Sequence, residues 1–343
     1  MAQIIPKKPI AVESNWQKEL AMAFSDPGSL LDYLELPRAD FVQDIKARAL
    51  FPLRVPRPFA ARMTKGDRND PLFKQVFTSV REFDLAPGYT SDPLQEQDNP
   101  QPGLLHKYRS RVLLIVRGGC AVNCRYCFRR HFPYGENHLS KREWLATLDY
   151  IRGDKHIDEV IYSGGDPLMA KDDFLAWLSA QIEQIPHIKR LRIHTRLPVV
   201  IPSRITPELL DWFTTSRLQA IMVLHVNHAQ EVDASLIKAL QGLKKAGVTL
   251  LNQAVLLKGI NDTPDSQIDL NEALFAAGVM PYYLHVLDKV QGASHFDISD
   301  DTARALMAEL IRRQPGYLVP KLVREIGGQP GKTPLDLHLH PDT

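Results

Sequence analysis

The chain has 343 residues, of which 44% are hydrophobic and 24% are charged, and its formal net charge is +2. This composition is ordinary for a globular protein of one large domain or two, and the balanced charge gives no reason to expect nucleic acid or an anionic membrane as a partner. No apolar run reaches 18 residues, and the first fifteen residues lack the apolar stretch of a secretory leader. We therefore expect a cytoplasmic protein without a membrane anchor.

The first hundred residues have an irregular pattern. Amphipathic spacing predicts short helices at 16–24 and 27–36, and proline-rich stretches at 51–58 and 84–102 predict surface loops. We assign residues 1–105 to an N-terminal helical and irregular extension. We expect this extension to pack against the rest of the chain and to help close its site.

From residue 111 onward, apolar segments alternate with helical patterns. The predicted strands are 111–116, 158–162, 191–195, 218–226, 249–257 and 280–287, and the predicted helices are 141–151, 172–183, 207–213, 231–246, 265–277 and 301–312. Near-continuous apolar strands that alternate with helices indicate a parallel sheet with right-handed crossovers. Six such units are too few for a closed eight-unit barrel. Residues 106–313 therefore predict an α/β fold, an open partial (β/α)6 barrel, and residues 314–343 form a short C-terminal segment.

All three cysteines of the chain, Cys120, Cys124 and Cys127, lie within eight positions after the first predicted strand. Secreted proteins with disulfides have even, dispersed cysteines, whereas three clustered thiols indicate metal ligation. Three thiolates can hold three irons of a [4Fe–4S] cluster and leave the fourth iron open. The alternatives are three inert thiols or a zinc site, which would need a fourth ligand such as His131.

Two further segments contain glycines beside a chemically useful side chain. The second predicted strand is followed by Ser163, Gly164, Gly165 and Asp166. Glycines there either let a ligand approach the backbone or form a tight turn. Near the C-terminus, GGQPG at 327–331 precedes Lys332, without the spacing of a phosphate-binding P-loop. The residues alone leave Lys332 either solvated in a loop or placed at a cofactor site.

The cysteine loop resembles that of radical S-adenosylmethionine (SAM) enzymes, and roughly residues 50–335 resemble the lysine 2,3-aminomutase family. The segments that carry the second resemblance are DPL at 92–94, PGLLHKY at 102–108, FRR after the cysteines, NQAVLL at 252–257, PYYLH at 281–285 and GKTP at 331–334. The resemblance implies an aminomutase that depends on a [4Fe–4S] cluster, SAM and pyridoxal 5′-phosphate (PLP). It also implies an external one-electron reductant and the conversion of (S)-α-lysine to (R)-β-lysine.

The resemblance also implies which residues bind the cofactors. The three cysteines would hold the cluster, and Lys332 would be the catalytic lysine that binds PLP covalently. Arg111 would lie near the PLP phosphate. The residues implied to bind SAM are Ser163, Gly164, Gly165, Asp166, His225 and Gln253. For His225 and Gln253, ordinary polar positions on their strands are the alternative.

Three charged residues are implied to bind the substrate, L-lysine. Arg129 would pair with its carboxylate, for which the guanidinium fork is suited, and Asp288 and Glu325 would bind its ε-ammonium. Glu325 stands where the family has an aspartate, so the charge is kept on a side chain one methylene longer. Without the resemblance, Arg129 could be a surface arginine and Asp288 a helix or loop cap.

The branch of the family that this sequence resembles supplies (R)-β-lysine for the post-translational modification of elongation factor P. A functional link to elongation factor P and its lysyl ligase follows as an expectation. Two alternative functions are an aminomutase for another amino acid, such as glutamate, and a non-catalytic iron–sulfur protein. The sequence is also compatible with a homo-oligomer.

Overall fold

The structure is a computed structural model that describes residues 15–97, 101–137 and 139–339. One sheet forms its centre, and its strands neighbour one another in chain order. The strands are Leu104–Tyr108 (β1), Arg111–Arg117 (β2), Glu159–Gly164 (β3), Arg190–Thr195 (β4), Gln219–Leu224 (β5), Thr249–Val255 (β6), Met280–His285 (β7), Lys321–Arg324 (β8) and Thr333–Pro334 (β9). β2 to β8 are parallel, whereas β1 and β9 are antiparallel strands at the two edges. Within the described ranges the edges do not pair, so the sheet stays open.

Helices connect successive strands and also build the N-terminal region. They are Asn15–Ala21 (α1), Pro27–Tyr33 (α2), Val42–Lys46 (α3), Arg57–Ala60 (α4), Pro71–Val76 (α5), Lys141–Gly153 (α6), Asp172–Glu183 (α7), Leu197–Val200 (α8), Pro207–Thr214 (α9), Ala234–Lys245 (α10), Pro264–Ala276 (α11) and Asp300–Arg313 (α12). Cap residues fix several of these helix starts. Ser140 accepts a hydrogen bond from the backbone N–H of Glu143, and Thr206 caps the helix that begins at Pro207.

The predicted open α/β barrel is confirmed. The six predicted strands correspond to β2–β7, and the six predicted helices correspond to α6, α7 and α9–α12. β3 is buried at every position, and its apolar centre is formed by Val160, Ile161 and Tyr162.

The sequence did not predict β1, β8 and β9. β8 has four residues with a charge at each end, which is too short and polar for a strand pattern. It pairs with β7 through Tyr283 and Lys321 and becomes a seventh parallel strand.

The N-terminal region packs against the cysteine loop as well as the sheet. The backbone N–H of Arg125 donates to the carbonyl of Gln75 at 2.9 Å, and that of Asn123 donates to the carbonyl of Arg54 at 3.1 Å. One hydrophobic core runs from Trp16 in α1 through the barrel. The expected packing of the extension is therefore present, and the domain boundaries at 105 and 313 stay predictions.

Of the described helices, none has both the length and the apolar character to cross a bilayer. The expectation that no secretory leader is present concerns the first fifteen residues, of which 1–14 lie outside the described ranges.

Candidate active site

A cavity opens at the carboxyl-terminal ends of the parallel strands, where ligands are usually bound in this kind of fold. Its empty space is about 1750 Å³, counting the part open to solvent. Every site residue predicted from the sequence lines it: Cys120, Cys124, Cys127, Arg111, Arg129, Ser163, Gly164, Gly165, Asp166, His225, Gln253, Asp288, Glu325 and Lys332. The strand order therefore gathers residues that are widely separated in the chain.

The three cysteines occupy the loop after β2, and all three are free thiols. Burial, together with the charge of neighbouring cysteines, raises the pKa of Cys127 to about 11 and that of Cys120 well above its ordinary value. Bound iron stabilises thiolates, so a cluster would offset the cost of ionising adjacent thiols.

A zinc site would need a fourth ligand beside the thiols. His131 instead directs its Nε2 toward the carbonyl oxygen of Gln291, 3.4 Å away. Within 15–97, 101–137 and 139–339, no three His, Cys, Asp or Glu side chains are grouped as one metal ion requires. A cubane cluster does not need such a grouping, because each thiolate binds a different iron. The donor set therefore fits a [4Fe–4S] cluster better than zinc.

The glycines after β3 permit a close approach between two backbones. Gly164 has a φ of +124°, and a Cβ placed there would lie 2.3 Å from the carbonyl oxygen of Arg117. A Cβ on Gly165 would lie 2.4 Å from the carbonyl oxygen of Gly118. The close neighbour of both glycines is the segment that leads into the cysteine loop, so the absence of side chains is needed for the two backbones to pack. The implied contact of these glycines with SAM stays a prediction.

Asp166 fixes the segment that follows β4. Its carboxylate is buried and accepts hydrogen bonds from Thr195 Oγ1 at 2.8 and 2.9 Å and from the backbone N–H of Arg196 at 2.8 Å and of Leu197 at 2.9 Å. It also caps the turn at Leu168. Asp166 therefore lines the cavity, but its carboxylate oxygens accept hydrogen bonds from the protein itself, from Thr195 and from three backbone N–H groups.

A chain of alternating charges crosses the cavity wall. Arg129 donates through Nε and Nη2 to Glu96 at 2.6 and 3.1 Å, and Lys107 donates to Glu96 at 2.8 Å. Lys107 Nζ also lies 3.7 Å from Glu325, which pairs with Lys332 at 2.5 Å. Arg129 and Lys332 are thus linked through two carboxylates, and Glu96 already holds one edge of the Arg129 guanidinium.

The two predicted ammonium-binding carboxylates differ in their protonation. Burial alone would raise the pKa of Glu325, but the charge of Lys332 and hydrogen bonds from Lys332 and Tyr108 lower it to about 2. Burial and the charge of Glu325 raise the pKa of Asp288 to about 7. Glu325 is therefore ionised, whereas Asp288 titrates near neutral pH.

Three histidines in the cavity wall are neutral. Burial lowers the pKa of His225 to about 3, with help from the charge of Arg196, and lowers the pKa values of His194 and His285 well below the ordinary value. His225 Nε2 lies 2.9 Å from Tyr126 Oη.

Polar atoms without a partner lie in the wall near Lys332. The Nε atom of Arg192 and the Nε2 atom of His194 are buried and have no hydrogen-bond partner in the described part of the chain. The guanidinium of Arg111 lies over the ring of Tyr108, with Cζ 4.0 Å from the ring centre. Positive and donor groups therefore surround this end of the cavity.

Several lining residues were missed by the sequence reasoning, namely Glu96, Lys107, Tyr108, Arg192, His194 and Arg196. Lys107 and Tyr108 lie in the segment 102–108 that carried the family resemblance, so a signal was present without a role. Arg192 and His194 are alternate residues of β4, and both are partly buried. This alternation of polar and apolar residues was a signal that one face of β4 lines a cavity.

Residues 114–266 match the radical SAM superfamily. The chain is 58% identical over 326 residues to the L-lysine 2,3-aminomutase of Escherichia coli (strain K12), with 95% of each chain covered. It is 56% identical over 333 residues to the L-lysine 2,3-aminomutase of Haemophilus influenzae, covering 96% of this chain and 98% of the relative. Among solved structures, a radical SAM methyltransferase from Sphaerobacter thermophilus has a TM-score of 0.45 and 17% identity, covering 66% of this chain and 69% of that chain.

Proposed function

This chain belongs to the lysine 2,3-aminomutase family of radical SAM isomerases, and on that premise we propose that it converts (S)-α-lysine to (R)-β-lysine with PLP as a further cofactor. Radical SAM membership implies a [4Fe–4S] cluster and SAM. One observation carries the proposal: a single cavity holds three free thiols, a lysine and charged groups for both ends of a diamino acid.

Cys120, Cys124 and Cys127 would hold the cluster, and Ser163, Gly164, Gly165, Asp166, His225 and Gln253 would surround SAM. When bound, the cluster and SAM would supply radical chemistry able to remove an unactivated hydrogen, and PLP would supply an aldehyde able to hold the migrating nitrogen. The protein positions the substrate and excludes water around it.

The surroundings of Lys332 support PLP as the second cofactor. PLP brings an aldehyde that condenses with a lysine amine and a phosphate that needs donors. Lys332 provides the amine, and Arg111 is a cation for the phosphate. Among the described residues, the buried Nε of Arg192 and Nε2 of His194 have no partner. The first is a donor and the second is a donor or an acceptor according to its tautomer, so an anionic or polar ligand would satisfy both.

The charge distribution supports lysine as the substrate. Glu96 holds Arg129 in a fixed orientation through Nε and Nη2, and Nη1 donates to Ser163 Oγ at 3.1 Å and to the Gly164 carbonyl at 3.4 Å. A substrate carboxylate would bind the edge formed by Nη1 and Nη2 and would share it with these two contacts. At the other end, Asp288 and Glu325 suit an ammonium group. They would repel the distal carboxylate of glutamate, so the pair disfavours the glutamate alternative.

We test the cofactor assignment with Lys332→Ala and, as a matched control, Lys321→Ala, which changes an exposed lysine on β8. Lys332→Ala should retain iron but lose pyridoxal absorbance after gel filtration and lose β-lysine formation, whereas the control should resemble the wild type. Full pyridoxal absorbance and turnover in Lys332→Ala would overturn the assignment. A non-catalytic iron–sulfur protein would form no 5′-deoxyadenosine from SAM and reductant.

We also propose that the product is passed to a lysyl ligase for the modification of elongation factor P and that a separate protein supplies the electron. The sequence resemblance supports this role. The test is the mass of elongation factor P in a bacterium that lacks its own aminomutase. The chain should restore the mass increment of a β-lysyl group, and the Lys332→Ala variant should not.

A further inference from the structure

Arg196 lies against one of the three thiols. Its Nη1 donates to Cys124 Sγ at 2.8 Å and also contacts Tyr126 Oη. The side chain is 7% exposed, so water does not compete for these contacts. Arg196 is thus a buried cation placed directly at a sulfur that would ligate iron.

The position of Arg196 is fixed from both its backbone and its side chain. Its backbone N–H donates to Asp166 at 2.8 Å. Its Nη2 donates to Gln75 Oε1 at 2.8 Å and to Glu231 Oε2 at 3.0 Å. The guanidinium therefore has little freedom to move away from Cys124.

Glu231 balances the charge of Arg196 inside the protein. It is fully buried, and its Oε1 accepts hydrogen bonds from Gln75 Nε2 at 3.1 Å, from the backbone N–H of Asn227 at 3.0 Å and from that of His228 at 3.1 Å. These donors and the guanidinium of Arg196 replace the water that burial removes from the carboxylate. The field at Cys124 is therefore set by an ion pair whose positive member is nearer to the sulfur.

We propose that Arg196 is a positioning residue that raises the reduction potential of the cluster by donating a charged hydrogen bond to Cys124. Reduction adds negative charge to the iron and sulfur atoms, and a fixed cation with an N–H donor stabilises the reduced form more than the oxidised form. This inference rests on the cluster ligation proposed above. The cluster would thus be tuned by a residue that directly follows β4. The N-terminal region would contribute through Gln75, which helps to hold Arg196.

The test is a redox titration of anaerobically reconstituted full-length protein, without PLP or lysine, followed by electron paramagnetic resonance of the reduced cluster. In Arg196→Gln, the ratio of reduced to oxidised cluster at a fixed potential should fall about tenfold, which is about 59 mV for one electron. Arg196→Lys keeps the charge and should show a smaller decrease.

Two further variants separate this role from a structural one. Arg204→Gln removes another fully buried arginine, which bonds Asp172 and the carbonyl of Leu168 and does not line the cavity. It should lower stability and leave the potential unchanged. Glu231→Gln keeps Arg196 but removes its counter-charge, so the potential should rise.

Equal potentials in the wild type, Arg196→Gln and Glu231→Gln at full iron content would overturn the proposal. If Arg196→Gln does not retain iron, Glu231→Gln decides: a raised potential supports the proposal, and an unchanged potential refutes it. The iron content of the wild type separately tests whether the cluster is bound. A wild-type protein without iron would contradict cluster ligation by the cysteines, which is part of the proposed function.

Discussion

Lys332 Nζ and Glu325 Oε2 lie 2.5 Å apart, across the turn that joins β8 to β9. Glu325 follows directly on β8, and Lys332 directly precedes β9, so the antiparallel pairing of these short strands brings them together. If Lys332 held PLP covalently through Nζ, that nitrogen would no longer be the free ammonium that pairs with Glu325. The same carboxylate is then available for the ε-ammonium of the substrate, and cofactor loading would prepare the substrate site.

Glu325→Gln should therefore weaken lysine binding without preventing PLP binding. The variant keeps a hydrogen-bonding side chain but loses the charge that we propose pairs with the substrate ammonium, a loss of about 1.5–3 kcal/mol. The KM for lysine should rise about 10- to 100-fold, while pyridoxal absorbance is retained. Glu325→Asp is the matched control, because it keeps the charge on the shorter side chain and should change KM less. An unchanged KM in Glu325→Gln would remove Glu325 from the ammonium site.

Arg129→Lys should impair recognition of the substrate carboxylate. Lysine keeps the charge but cannot bond Glu96, Ser163 and a carboxylate in the planar fork that the guanidinium provides. We expect the KM for lysine to rise about 10- to 100-fold in steady-state assays. Arg117→Lys, an exposed position at the end of β2, is the control and should have little effect. Equal KM values for the two variants would argue against a carboxylate contact at Arg129.

The pKa of Asp288, raised by burial and by Glu325 to about 7, predicts a pH effect on stability. Its ordinary value is 3.8, so between these two values the folded PLP-free protein holds a proton that the unfolded chain releases. This contribution to stability is present below pH 3.8 and is lost as pH rises through about 7. In Asp288→Asn, the melting temperature should fall less than in the wild type over this range. Parallel curves for the two proteins would contradict the shift. Glu96 raises the pKa of Asp288, whereas Lys107 and Lys332 lower it. All three residues are present in both proteins, so their effect does not distinguish the two curves.

Gly164→Ala should destabilise the fold at the end of β3. The left-handed φ costs about 1–3 kcal/mol for a non-glycine residue, and the clash with the Arg117 carbonyl adds to that cost. Denaturant unfolding should show a loss of more than about 2 kcal/mol. Gly242→Ala is the control, because Gly242 lies inside α10 with open space around its Cβ position. It should stabilise by about 0.5–1 kcal/mol, and similar losses in both variants would contradict the packing argument.

The sequence predicted the barrel well because its strands and helices have strong local patterns. β3 is buried throughout and contains the apolar residues Val160, Ile161 and Tyr162, and the capping residues Ser140 and Glu143 indicate the start of α6. β8 could not be predicted in this way, since its four residues have no strand pattern of their own and it forms a strand by pairing with β7. Long-range pairing, unlike periodicity, leaves no local pattern.

The residues of the candidate site also divide into those with a local sequence signal and those without one. The cysteines and Lys332 stand in distinctive segments, and the cavity gathers them as expected. Glu96 and Arg196 could not be predicted, because their importance comes only from partners distant in the chain, Arg129 and Cys124. A charged residue acquires such a role when the fold removes it from water beside an opposite charge or a sulfur.

The most direct test of lysine 2,3-aminomutase activity is the product itself. Anaerobically reconstituted protein would be given dithionite, SAM, PLP and L-lysine, and the amino acids would be separated by chiral chromatography. We predict (R)-β-lysine only when SAM and reductant are both present. Formation of 5′-deoxyadenosine without β-lysine, with the cluster intact, would contradict the assignment of lysine as the substrate.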